Sequence, residues 1–229
     1  MRKNKLENYR KKEFFLNKLF HFFFSEKFEK KIFYEFDKRN RIEFIKSIIA
    51  KKNYQNYLEI GCHNNEVFDK IEVDKVGVDP ISGGTVRATS DQFFLQNKKL
   101  FDCIFIDGLH IYEQVIRDIK NSLNFLNDDG VIILHDCLPK SISHQRVPRT
   151  RYNWNGDVWK AMVEVRTWDN CDAFTVLADQ GLGVIKKKDN SNKIFIDNKN
   201  FKKLKFRFFY NNYRKIMKTV TFEKGIELV

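Results

Sequence analysis

The chain has 229 residues, with 42 Lys+Arg against 30 Asp+Glu for a formal net charge of +12, and is 42% hydrophobic and 15% aromatic with 23 Phe but only 10 Gly and 3 Pro. That length suits one domain with appended segments, and the composition excludes collagen, low-complexity disorder and a disulfide-dense miniprotein. The basic excess sits at the ends: residues 1–50 hold 14 Lys/Arg and 7 Asp/Glu, 193–229 hold 10 and 3, and the block between them holds 18 and 20. The near-neutral middle weakens the first inference from +12, a nucleic-acid binder.

In chain order, Phe14, Phe15, Leu19, Phe22 and Phe23, then Ile32, Phe33 and Phe36, then Ile42, Phe44, Ile45, Ile48 and Ile49 recur at three- and four-residue spacing. This predicts helices through the first fifty residues. They are expected to pack on the core or in a homodimer, with peripheral contact to an anionic membrane surface as the alternative. The apolar cluster 14–24 is broken by Asn17, Lys18 and His21, so it is too short to span a bilayer. It is followed by Ser25-Glu26-Lys27 where a signal peptide needs small residues, so a cytoplasmic protein is expected. Cys62, Cys103, Cys137 and Cys171 show no metal-ligand spacing and read as reduced thiols.

From Tyr57 short apolar runs alternate with helical stretches. Strands are predicted at 57–60, 75–79, 101–107, 131–136, 174–178 and 183–185, with helices starting near Glu66, from 112 to 126 and from 157 to 167. This alternation predicts an α/β fold, a doubly wound, mostly parallel Rossmann-like sheet with helices on both faces. The expected organisation is a helical extension at 1–52, a cofactor-binding domain at 53–190 and a basic C-terminal extension at 191–229. A ligand then belongs at the carboxyl ends of the strands, where the sequence places Glu59, Asp79, Asp107 and Asp136.

Gly61 follows the first strand, but Gly61-Cys62-His63-Asn64-Asn65 is not the glycine fingerprint of a pyrophosphate-binding turn. An NAD-dependent dehydrogenase is therefore disfavoured. S-adenosylmethionine has no phosphate, so one close backbone approach at Gly61 suffices. Asp79, twenty residues after Glu59, is placed to accept from the ribose hydroxyls, and Glu59 suits the cationic half of the molecule.

Leu58-Glu59-Ile60-Gly61-Cys62, Val76-Gly77-Val78-Asp79-Pro80, Phe105 to Glu113, and Asp129-Gly130 with Ile133-Leu134-His135-Asp136-Cys137 together resemble the class I S-adenosylmethionine-dependent methyltransferases. The nearest branch is the small-molecule and sugar O-methyltransferases of macrocin and catechol type. The resemblance covers about 55–190. It implies a seven-stranded sheet with a reversed last hairpin, and adenine contacts from the loop after a third strand, here Thr89-Ser90-Asp91, so that Ser90 and Asp91 join Glu59, Gly61, Asp79 and Asp107 as cofactor residues.

Methyl transfer to a hydroxyl needs the nucleophile positioned and a base or Lewis acid beside it. His110, three residues past Asp107, occupies the offset of the lysine proposed as base in catechol-type relatives. His135 is the second candidate, although a regular strand would turn it away from Asp136. In metal-dependent relatives the counterparts of Asp107 and Asp136 hold Mg²⁺, but the next ligand position here is Cys137, a soft thiol. The polar, aromatic stretch from Gln145 to Asp157 is expected to cover the acceptor, with Tyr152 and Trp154 stacking on a sugar ring and Arg149 or Arg151 holding an anionic group.

The expected function is O-methylation of a small polar acceptor, a sugar or glycan precursor in carbohydrate biosynthesis. Two alternatives stand beside it. Methylation of RNA ribose or other nucleic acid would use the basic ends, but Asp107-Gly108-Leu109-His110 replaces the [ND]-P-P-[YF] of base N-methylating enzymes. A non-catalytic interaction protein of the same fold would be expected to lose the acidic strand ends, and all four are kept.

Overall fold

A computed structural model describes residues 2–197 and 200–229, with side chains from Arg10 onward. Met1 and positions 198–199, within the two expected extensions, lie outside the described residues. Four parallel strands, β1 (Asn56–Ile60), β2 (Asp74–Val78), β3 (Phe101–Ile106) and β4 (Leu126–Leu134), lie in the order β2-β1-β3-β4. β6 (Leu182–Lys187) pairs antiparallel with both β4 and β5 (Cys171–Val176), which is the reversed hairpin. The seventh strand, β7 (Thr219–Val220), comes from the C-terminal segment and adds in parallel to β5. The segment where the resemblance puts a third strand is reduced to a single bridge between Val78 and Val86.

Period-two alternation sorts the strand residues. Leu58, Ile60, Ile104, Ile106, Ile132 and Leu134 face one core, with α4 (Tyr112–Asn124), α6 (Val158–Val165) and α7 (Phe206–Met217). Tyr57, Cys103, Phe105, Val131 and Ile133 face the other, with α2 (Arg41–Lys52) and α8 (Phe222–Leu228). All four cysteines are buried free thiols.

The N-terminal segment is helical only in part. α1 (Arg2–Phe24) and α2 form, but residues 26–36 run as a non-helical strap, where the spacing of Ile32, Phe33 and Phe36 predicts helix. Long-range contacts override the local period: Ile32 N–H donates to the Lys140 carbonyl at 2.8 Å, Asp37 N–H to the Leu177 carbonyl at 2.8 Å, and Ile32 is buried while Phe33 is exposed. α2 starts where Asn40 and Glu43 form a capping box. The predicted helix at Glu66 shrinks to turns and a 3-10 turn at Phe68–Lys70. α3 (Ser90–Gln96) is capped by Thr89 and Gln92 in the same reciprocal way as α2.

Candidate active site

The strand order reverses between β1 and β3, so a crevice opens at their carboxyl ends. Gly61 sits there with φ +91°, and a Cβ on it would lie 2.4 Å from the Asp107 carbonyl oxygen. Only glycine allows this approach of the two strand ends. The crevice leads into a cavity of about 540 Å³ lined by Gly61, His63, Asp79, Ser90, Asp91 and Asp107 among others.

On its β1–β2 side the acids are held by local groups. Asp79, 8% exposed, accepts from the backbone N–H of Ile81 (2.7 Å) and Ser82 (2.9 Å) through Oδ1, and from that of His63 (2.9 Å) through Oδ2. Burial works against its ionisation, but these N–H donors and Arg87 outweigh it and hold the carboxyl below its ordinary range. Glu59, 2% exposed, accepts from the Tyr57 hydroxyl at 2.7 Å, and burial pushes its pKa up to about 7 against that bond. Ser90 donates to buried Asp118 at 2.6 Å, and Asp91 faces Arg117 at 3.4 Å. Both border the cavity.

The β3–β4 side is a cluster of charge pairs. His110 Nε2 lies 3.3 Å from Asp107 Oδ1, and its Nδ1 lies 3.1 Å from both Asp136 Oδ2 and the Trp154 carbonyl. His135 Nδ1 lies 3.2 Å from Asp107 and 3.5 Å from Asp136, with Nε2 3.4 Å from Asp179. A regular strand would not permit this. β4 ends at Leu134, and Asp136 adopts φ +62°, so that His135 and Asp136, expected on opposite faces, both turn to Asp107. Burial opposes charge on both histidines, but the carboxylates raise both pKa values, that of His135 well above its ordinary value. Asp107 is lowered despite its burial, because two imidazoles face it.

Three partners here have no local sequence signature. Arg41, at the start of α2, bonds Asp179 at 2.9 Å and Glu66 at 3.0 Å and approaches Asp107 at 4.0 Å. Asp179 follows β5. Asn155, 1% exposed, donates to Asp136 Oδ1 at 2.9 Å. The sequence offers no local signal for Asn155, one of several polar residues in the stretch from Gln145 to Asp157.

The loop before α6 packs over His110. The Trp154 ring stacks on the His110 ring at 5.4 Å, its indole N–H donates to the Arg146 carbonyl at 2.6 Å, and the Arg149 guanidinium lies 5.9 Å from its centroid. Gly156 (φ +60°) passes so close that a Cβ would overlap the His110 carbonyl. Tyr152 instead packs edge-on against Phe14 of α1 at 5.0 Å, and Arg151 Nη1 donates to the Ser143 hydroxyl at 3.2 Å. Cys137, next to Asp136, is buried with its thiol on the His135 and Leu134 carbonyls.

Residues 32–137 match the family model described as a methyltransferase domain. No curated protein matches the chain. A putative caffeoyl-CoA O-methyltransferase from Staphylococcus aureus is similar in fold, at 15% identity and a TM-score of 0.50, over 67% of this chain and 86% of that one. The cofactor-bound Rv0187 from MTB is similar at 12% identity and 0.50, over 68% and 85%. The SAH-bound methyltransferase PaMTH1 of Podospora anserina aligns at 14% identity and 0.48, over 66% and 80%. Residues 32–137 thus resemble a methyltransferase domain, and the sheet order with its crevice between β1 and β3 is the fold that the chain shares with these solved methyltransferase structures.

Proposed function

We propose that this protein transfers the methyl group of S-adenosylmethionine to a hydroxyl of a small polar acceptor, a sugar or glycan precursor, in cytoplasmic carbohydrate biosynthesis. The observation that carries this reading is His110, held between two carboxylates, one of which, Asp107, lines the cavity. The Trp154 carbonyl can only accept a hydrogen bond, so Nδ1 carries a proton; the carboxylates favour a second proton on Nε2, and in the neutral ring Nε2 is the atom that takes one from the acceptor. Nε2 faces Asp107, which stabilises the imidazolium that forms when the acceptor hydroxyl is deprotonated. Stacking by Trp154 keeps the ring in plane. His135 is the second candidate base, and its contacts with Asp107, Asp136 and Asp179 suit it to fixing those carboxylates.

In the cofactor half of the crevice, Asp79 Oδ2 accepts one backbone N–H and keeps a lone pair for a ribose hydroxyl. Gly61 supplies the close backbone approach, Glu59 faces the cationic end, and Ser90 and Asp91 border the adenine. Residues 53–190 form the cofactor-binding unit in this reading, flanked by 1–52 and 191–229. Arg149, Tyr152 and Trp154 belong to the acceptor cover, and the polarity of the loop supports a polar acceptor.

Asp107, His110 and Asp136 each offer a ligand atom, all within 4.8 Å of one another. Mg²⁺ does not fit this set, because it demands oxygen ligands in octahedral geometry and two imidazoles already bridge the two carboxylates. An ion that accepts nitrogen suits the three atoms better.

The test is calorimetry with S-adenosylmethionine followed by transfer of an isotope-labelled methyl group to a panel of sugars, sugar nucleotides and RNA. Alkali-stable label on sugar hydroxyls supports the reading, and label on RNA alone, or no binding of the cofactor by folded protein, overturns it.

A further inference from the structure

One side of α1 packs on the body of the protein, and an apolar side is left outside. Phe14, Asn17 and His21 face inward: Phe14 packs on Tyr152, the Asn17 amide donates to the Arg149 carbonyl at 2.8 Å, and His21 Nε2 lies 2.7 Å from the Pro148 carbonyl. These contacts seat the helix on the loop that covers His110. On the opposite side Phe15, Leu16, Leu19, Phe20, Phe22 and Phe23 are 47–67% exposed, and Phe24 beyond them is 77% exposed. A continuous exposed apolar face of this kind marks an interaction site.

Its rim identifies the partner. Lys12, Lys18, Lys27 and Lys30 are exposed around it, Lys27 Nζ lies 5.3 Å from the Phe22 ring, and Lys27, Lys30 and Arg207 line one shallow cleft with Glu29. Residues 10–31 contain seven Lys or Arg against Glu13, Glu26 and Glu29. The Glu26 carboxylate is engaged by the N–H groups of Phe206 (2.8 Å) and Arg207 (3.1 Å) at the start of α7. A second copy of the chain would bring the same positive rim against itself, and a nucleic acid would leave the phenylalanines unburied. Among the described residues no helix is long and apolar enough to cross a membrane, so the helix can only lie on one.

We infer that the outer face of α1 docks on an anionic lipid bilayer, with Phe15 to Phe24 inserted at the headgroup boundary and the lysines at phosphate level. Because α1 also carries the loop over His110, the bilayer contact lies beside the acceptor end of the site.

The experiment is co-sedimentation of the full chain with vesicles of mixed phosphatidylglycerol and phosphatidylcholine, compared with phosphatidylcholine alone. Binding is expected only to the anionic vesicles and is expected to weaken with salt. Two double variants, Phe22→Ser with Phe23→Ser and Lys27→Glu with Lys30→Glu, each lower the partition coefficient about 10-fold or more. Both change exposed side chains, so their thermal midpoints and S-adenosylmethionine binding stay at wild-type values. Three results would overturn the inference: no partition of wild type onto anionic vesicles, partition untouched by either variant, or a dimer in sedimentation velocity that Phe22→Ser with Phe23→Ser dissociates.

Discussion

The two halves of the crevice are built by different means. On the β1–β2 side Asp79 is held by backbone N–H groups from His63, Ile81 and Ser82, and Glu59 by a tyrosine two residues away. On the β3–β4 side Asp136 and Asp179 are reached from other segments, by Arg41, His110, His135 and Asn155, besides the contact of His135 with its neighbour Asp136. A local scaffold suits a ligand of constant shape. A side-chain network assembled from distant segments lets the acceptor chemistry change while the strands stay as they are.

That contrast breaks most sharply at His110. His110→Ala is expected to lower kcat by about 10³-fold while S-adenosylmethionine affinity, measured by calorimetry, changes less than about threefold, because the cofactor half does not depend on it. Near wild-type turnover would remove His110 from the base role. Glu59 tests the other half through stability. Its carboxyl titrates near 4.5 when unfolded and about 7 when folded, so between these values the folded state holds a proton that the unfolded state has released. Stability therefore falls as pH rises through that window and stays lower above it. At about 1.36 kcal/mol per pH unit of displacement the loss is ~3 kcal/mol. Glu59→Gln keeps the bond from Tyr57 and should flatten this part of the profile in urea titrations at pH 4.5 to 8. An unchanged slope would place the proton elsewhere.

Asp79→Ala should weaken S-adenosylmethionine binding by about 30-fold, the worth of a hydrogen bond to a charged acceptor, and leave kcat at saturating cofactor within about threefold. A selective fall in kcat instead would erase the division between the halves. The smallest expected effect is that of chelation: EDTA should change turnover less than about twofold, since imidazoles bridge Asp107 and Asp136. A loss restored by Mg²⁺ would show that the carboxylates hold an ion after all.

The legibility of the two halves follows their construction. Strand ends with acids at Glu59, Asp79, Asp107 and Asp136 are readable because period and turn chemistry act over a few residues. The strap at 26–36 is not, since hydrogen bonds to Lys140 and Leu177 displace the helix its apolar spacing favours. His135 is misplaced by the rule of alternation because the strand expected to run to Asp136 ends at Leu134 and Asp136 turns left-handed. The stacking of Trp154 on His110 is a contact that only the path of the loop past Gly156 could reveal. β7 is invisible in a two-residue strand that exists only through its pairing with β5.

The α/β class, the parallel strands with their acidic ends and the glycine between them can be read from the residues, because each depends on backbone geometry and hydrophobic period within a short window. Only the packing of distant segments shows which of those acids face which histidines, that Arg41 and Asp179 join them, and that one face of α1 is left uncovered beside the loop over His110. Those are distances set mostly between segments brought together by the fold, Arg41 and Asp179 lying 138 residues apart, and no local propensity encodes them.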